Sequence, residues 1–149
     1  MLEQKTKISV VITTYNRAAL VIKAIESVLN QESNADEIIV VDDGSTDGTD
    51  RIIQDNFPQI KYLYQDNQGI SAARNLGIMQ ARNPWIAFLD SDDEWLSDKL
   101  VKQRTALSAN PDYKICHTDE IWIRRGKRVN QMKKHKKYGG DIYTYCLPL

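Results

Sequence analysis

Cysteine is scarce in this chain, and its two cysteines, Cys116 and Cys146, fit neither a CxxC pair nor a Cys/His metal-ligand spacing. That argues against a disulfide scaffold and a structural zinc site, and it reads both as small core residues of a protein from a reducing compartment. A charge excess is missing too. Twenty Lys and Arg balance twenty Asp and Glu among 149 residues, so no global field draws the chain to nucleic acid or to a membrane. No apolar run approaches the roughly eighteen residues of a membrane span. The polar opening Met1-Leu2-Glu3-Gln4-Lys5-Thr6-Lys7 has no signal-peptide core, so a cytoplasmic protein is expected. With only 4 prolines and 7 glycines there is no flexible linker and no low-complexity segment, and no internal repeat is visible. The expectation is one domain over residues 1–149.

What the chain does have is strand and helix patterns in alternation. Apolar stretches at 7–13, 37–42, 60–64 and 85–89 read as strands, several of them buried on both faces. Between them, Val21, Ala24, Ile25, Val28 and Leu29 recur at helical spacing, and helices are expected around 49–56 and 70–80. Thr46 or Asp47 is the N-cap candidate for the first of these. Leu96, Leu100, Gln103 and Leu107 mark a fourth helix, closed by Asn110-Pro111, and short strands are expected at 113–117 and 120–124 with a turn at Gly126. This order predicts an α/β fold, a mostly parallel Rossmann-like sheet with helices on both faces. Beyond Val129 come the basic run Lys133-Lys134-His135-Lys136-Lys137 and the end Cys146-Leu147-Pro148-Leu149, which resemble no closing element. The chain is therefore expected to be the front part of a longer protein.

The chemistry concentrates in two places. Val40-Val41-Asp42-Asp43-Gly44-Ser45 and Phe88-Leu89-Asp90-Ser91-Asp92-Asp93 both run from a buried strand straight into clustered carboxylates. In an open parallel sheet that is the edge where ligands bind. Two carboxylates about 4 Å apart repel by roughly 4 kcal/mol at an effective dielectric near 20, and a cation or a donor-bearing ligand removes the cost. Asp43, Ser45, Asp47 and Gly48 imitate the opening of a calcium loop, but Arg51 and Gln54 stand where its later ligands belong, so calcium is rejected. Capping of the following helix is the plain alternative for 42–47. Asp43, fixed at a strand end, can accept a ring N–H from a pyrimidine base. Asp90 and Asp92 point the same way if the backbone stays extended, and oxygen-only ligation favours Mg2+ or Mn2+. Asp93 and Glu94 are read as a helix start.

Four segments then occur in order: Thr13-Thr14-Tyr15-Asn16, Val41-Asp42-Asp43-Gly44-Ser45-Thr46-Asp47, Asn67-Gln68-Gly69-Ile70-Ser71-Ala72-Ala73-Arg74-Asn75, and Phe88-Leu89-Asp90-Ser91-Asp92-Asp93. Together they resemble the family 2 glycosyltransferases of the GT-A fold, over residues from about 8 to 107. The resemblance implies transfer of a sugar from a nucleoside-diphosphate sugar, of UDP or dTDP type, to an acceptor hydroxyl with inversion. It implies that Thr13 and Tyr15 line the base and ribose pocket, that Asp43 accepts the base N3–H, and that Arg74 lies near the diphosphate or holds the acidic motif. Asp90 and Asp92 match the family's DxD motif, with Asp92 the direct ligand of Mn2+ or Mg2+. The family's general base follows in an acceptor-binding part, and none of Asp112, Asp119, Glu120 and Asp141 matches it. The catalytic base is thus unknown and expected beyond Leu149, with a saccharide or lipid-linked acceptor.

His117, Trp85, Trp95 and Trp122 are read as structural, and the lysine run at 133–137 as a solvated loop or a peripheral membrane contact. A non-catalytic nucleotide-sugar-binding module is the alternative reading. A nucleotidyltransferase is disfavoured because Thr13 to Arg17 supplies no glycine-rich basic loop.

Overall fold

The computed structural model describes residues 6–129. Their contacts divide the chain into two compact units, Met1–Cys116 and His117–Leu149. In the first unit, β1 (Ile8–Thr14), β2 (Glu37–Asp42), β3 (Lys61–Tyr64) and β4 (Trp85–Asp90) alternate with α1 (Ala18–Leu29), α2 (Thr49–Asn56) and α3 (Ile70–Gln80), and α4 (Lys99–Ala109) follows β4. The strands form one parallel sheet in the order β3-β2-β1-β4. β1 lies inside that sheet, and all seven of its residues are buried.

The alternation of side chains along β1 sorts the core into two layers. Ile8, Val10 and Ile12 join Val40 and Leu89 on the face that receives Val21, Ala24, Ile25 and Val28 of α1, Ile53 of α2 and Leu100 of α4. Val11, Ile39 and Val41 form the other face, closed by Ala73 and Leu76 of α3. Helix α3 lies unusually close to the sheet at Gly77. A Cβ there would stand 2.4 Å from Cγ1 of Val11.

The sheet's lower edge is tied by charge. Glu37 accepts hydrogen bonds from the Ser9 hydroxyl at 2.7 Å, the Arg82 backbone N–H at 2.9 Å and the Arg82 Nε–H at 2.9 Å. Burial opposes ionisation of Glu37, but these donors outweigh it and hold its carboxyl below the usual range. Asp36 beside it accepts from the Ile8 N–H and from Arg104, both at 2.8 Å.

Three expectations fail in detail. Residues 113–117 form no strand; Tyr113 and Ile115 are exposed, and among the described residues no neighbouring strand pairs with them. The next strand is shorter than expected. It survives as β5 (Trp122–Arg124), antiparallel to β6 (Lys127–Val129) across Arg125-Gly126 in the second unit. Helix α4 begins at Lys99, so Leu96 lies outside the helical stripe and is exposed. The 133–137 lysine run and Cys146 fall outside the described residues; Cys116 is a partly buried free thiol.

Candidate functional site

Parallel registration carries the four strand ends to one edge. Thr13 pairs with Val41 on one side and with Asp90 on the other, and the next row aligns Thr14 with Asp42 and Asp42 with Tyr64. The loops leaving this edge are bound to one another rather than standing alone. Asn16, held at a positive φ of 50°, accepts the Thr46 N–H through Oδ1 at 2.8 Å, and its own N–H reaches Ser45 Oγ at 2.8 Å. The Ala18 N–H, in the first turn of α1, donates to Asp47 Oδ2 at 3.0 Å.

Most acceptor directions of the carboxylates in the 42–47 segment are taken by donors. Asp42, fully buried, accepts the Ser45 N–H at 2.8 Å and the Tyr62 hydroxyl at 2.7 Å. Burial, then the neighbouring Asp42, pushes the Tyr62 phenol far above its ordinary range, so it stays a proton donor. Asp43 accepts the Gln65 side-chain amide at 2.6 Å and the Gln68 N–H at 2.9 Å on Oδ1, and the Gly69 N–H at 2.8 Å on Oδ2. Those N–H groups lie at the entrance to α3, so a carboxylate from the neighbouring loop caps that helix. Asp47 does the same for α1 and also receives the Thr49 hydroxyl at 2.5 Å. Burial pushes its carboxyl up, but the Thr49 hydroxyl and the Ala18 and Thr49 N–H groups outweigh this and hold it low.

Neither Thr46 nor Asp47 is the N-cap of α2. That position is Gly48, at φ +83°, while Asp47 accepts the Thr49 N–H from one residue earlier. Gly44 is forced by space as well as by its φ of +87°. A Cβ there would meet the Asn67 nitrogen at 2.9 Å.

The second acidic segment is arranged differently. The chain turns at Ser91-Asp92, with the Asp93 N–H donating to the Asp90 carbonyl at 3.0 Å, instead of continuing extended. The two carboxylates consequently meet separate arginines. Asp90 accepts from Arg74 Nη2 of α3 at 2.6 Å, with the Arg74 guanidinium also 6.0 Å above the Phe88 ring. Asp92 pairs with Arg17 from the loop before α1. Behind the turn, the segment is fastened to α1: the Trp95 N–H donates to Ser27 Oγ at 3.0 Å. The Gln31 amide donates to the Leu96 carbonyl at 2.7 Å and accepts the Leu100 N–H at 3.0 Å.

The candidate residues therefore stand as follows. Thr13 is buried in the row beside Asp90, and Tyr15 is half exposed in the loop after β1. Asp43 is buried, and Arg74, Asp90 and Asp92 are partly exposed in ion pairs. Among the described residues no three His, Cys, Asp or Glu side chains converge to hold a metal by themselves. Two grooves, of about 440 and 380 Å³, are lined by none of these candidate residues; Trp95 and Ser97 line the first, Glu37 and Ile60 the second. The sequence assigned no role at the site to Arg17, Gln31 or Gln65, and gave Asn16 and Gln68 only as turn and motif residues. The only signal was the crowding of carboxylates, which demands donors without saying which.

The family model for glycosyl transferase family 2 matches residues 9–144. An uncharacterised glycosyltransferase of Rickettsia conorii is 45% identical over 144 residues, covering 95% of this chain and 24% of the relative. Among solved structures, S. aureus TarS 1–349 in complex with UDP-GlcNAc superposes with a TM-score of 0.63 at 26% identity, covering 70% of this chain and 32% of that one. The mannosyltransferase PcManGT from Pyrobaculum calidifontis, in complex with GDP-Man and Mn2+, gives 0.57 at 25% identity, covering 68% and 31%. The chain belongs to glycosyl transferase family 2, and its sheet has the GT-A type arrangement of these neighbours. It spans about a quarter of the rickettsial relative's length.

Proposed function

We propose that this chain is the donor-binding part of a glycosyltransferase that moves a sugar from a uridine- or thymidine-diphosphate sugar to an acceptor hydroxyl with inversion. The observation that carries the reading is the placement of two partly exposed, arginine-matched carboxylates, Asp90 and Asp92, beside an edge whose loops are locked by Asp43. A carboxylate offers about four acceptor directions. Three at Asp43 are used, which leaves one for a ring N–H of the base. Thr13 and Tyr15 flank the base and ribose, and Arg74 faces the diphosphate while steadying Asp90.

Asp92 and Asp90 would hold a Mn2+ or Mg2+ ion. Their oxygen-only donor set suits a hard cation, and with just two carboxylates the remaining ligands must come from the diphosphate and water. When bound, that ion supplies positive charge against the departing nucleoside diphosphate. The base that deprotonates the acceptor is assigned to no residue described here; the reading places it beyond Leu149, with the saccharide- or lipid-linked acceptor site. A cytoplasmic location belongs to the same proposal and rests on cysteine usage. Among the described residues no helix is long and apolar enough to cross a membrane.

Calorimetry with UDP, dTDP, CDP and GDP, each with Mn2+ and with chelator, tests the reading. UDP or dTDP should bind most tightly, only with the ion, and Asp92→Ala should abolish the ion dependence. Unchanged affinity in chelator or in Asp92→Ala refutes the metal assignment. Donor binding with no turnover by a longer version supplied with acceptors would favour the binding-module alternative.

A further inference from the structure

The acidic segment needs counter-charge, and the structure supplies it from a position where an arginine is poorly placed for helix stability. Arg17 is the N-cap residue of α1, and its side chain makes no capping hydrogen bond. N-caps favour Ser, Thr, Asp and Asn, and a cation at a helix N-terminus opposes the macrodipole. The capping duty has passed to Asp47, which takes the Ala18 N–H from the neighbouring loop. Residue 17 is thereby released for another task, and its guanidinium lies on Asp92 Oδ2. Both side chains are nearly half exposed, at 44% and 49%. Such pairs contribute little stability, so giving this one up costs the fold little.

We infer that Arg17 is a mobile counter-ion that couples metal to donor. It competes with a divalent cation for Asp92, and it moves onto the donor's diphosphate when ion and nucleotide arrive together. The inference rests on the donor-site reading above and adds a residue that the reading does not use. Its physical basis is that a guanidinium and a divalent cation held on the same carboxylate repel one another. A guanidinium displaced from a carboxylate has a better partner in phosphate, which it can grip in bidentate fashion. The ion alone then binds weakly because it must expel Arg17 into water. Ion and diphosphate together bind well because Arg17 exchanges one anion for another.

The test uses the whole chain with Arg17→Gln and Arg17→Lys. Mn2+ binding without nucleotide is read from the loss of the free-ion EPR signal. UDP binding at saturating Mn2+ is read by calorimetry. Removing an exposed ion-pair competitor should let Arg17→Gln bind Mn2+ alone up to about fivefold more tightly. The same variant should bind UDP about tenfold more weakly in saturating Mn2+, since a charge-assisted bond to phosphate is lost. Arg17→Lys, keeping a monodentate cation, should fall between wild type and Arg17→Gln in both readings. A merely structural role would weaken both readings together, and that outcome overturns the proposal, as does unchanged Mn2+ affinity in Arg17→Gln. If the wild-type chain fails to bind UDP at any Mn2+ concentration, the donor-site reading itself falls. A chain that binds UDP with coupling unaltered by Arg17→Gln sinks only the role of Arg17.

Discussion

Replacing Asp43 by asparagine removes one oxygen and introduces two N–H donors at a residue that is 4% exposed. If the amide oxygen takes the place of Oδ1, it keeps the Gln65 and Gln68 donors, and the new NH2 faces the Gly69 N–H at the old 2.8 Å separation. If the amide flips, two donors are lost instead of one. The better choice still leaves a buried N–H unsatisfied, at about 1–3 kcal/mol. It also makes neutral two bonds that were charge-assisted and roughly twice as strong. Asp43→Asn should therefore lose about 2–4 kcal/mol, a large share of the roughly 5–15 kcal/mol a domain possesses. Urea unfolding should show a lower midpoint at unchanged slope. Because the loop at 67–69 is disturbed as well, raw nucleotide affinity cannot isolate base recognition, whereas the ratio of UDP to CDP affinity can. Wild type should favour UDP by at least tenfold, since cytosine has no proton at N3 and a charged hydrogen bond is worth about 1.5–3 kcal/mol. That preference should collapse in the variant. A variant within 0.5 kcal/mol of wild type would show that Asp43 does not hold the α3 entrance. A wild-type ratio near one would remove it from base recognition.

Two further changes probe the sheet. Gly77→Ala gains helix propensity of about 1 kcal/mol but drives a Cβ to 2.4 Å from a buried Val11 methyl, so α3 must lift off the sheet. A net loss of about 1–2 kcal/mol in urea unfolding is expected, and a stabilised variant would mean that α3 packs less closely than described. Glu37, whose carboxyl is held below its ordinary value, contributes stability that is present above the unfolded-state pKa, near 4.3, and is lost as pH falls through the lower folded value. Glu37→Gln should be less stable than wild type at pH 7 with the difference shrinking below about pH 4. A gap that stays constant from pH 7 to pH 3 would refute this.

The fold was legible where a local pattern coincided with a global requirement. The bounds of β2, α2 and α3 are those expected because buried β-branched runs and turn residues agree there with the sheet's need for parallel strands. Residues 113–117 carry a strand-like pattern too. A strand is defined by its partner, however, and the sequence of one segment does not reveal whether a partner lies beside it. Leu96 fails for a related reason. Its spacing from Leu100 suits a helix, but the Leu96 carbonyl is taken by Gln31 and the Lys99 N–H at 3.1 Å, which fixes a turn ahead of the helix.

The site was legible as a location and less so as a mechanism of charge balance. Clustered carboxylates at strand ends imply a compensating charge or donor, and a metal with a ligand was the compensation expected. In the structure the two clusters are balanced in different ways. The first cluster is satisfied internally: Asp42, Asp43 and Asp47 spend their oxygens on N–H and hydroxyl donors from α1, α3, β3 and their own loop. The partners from α1, β3 and the entrance to α3 are distant in sequence, and α1 and α3 are capped from a neighbouring loop, so rules that search for a cap immediately before a helix miss them. The second cluster is balanced by Arg74 and Arg17, which reach it from two different elements. The rigid cluster can thus shape the edge while the exchangeable one responds to a ligand. That separation follows from chemistry: backbone N–H groups cannot leave a carboxylate without unravelling a helix, whereas a half-exposed guanidinium can.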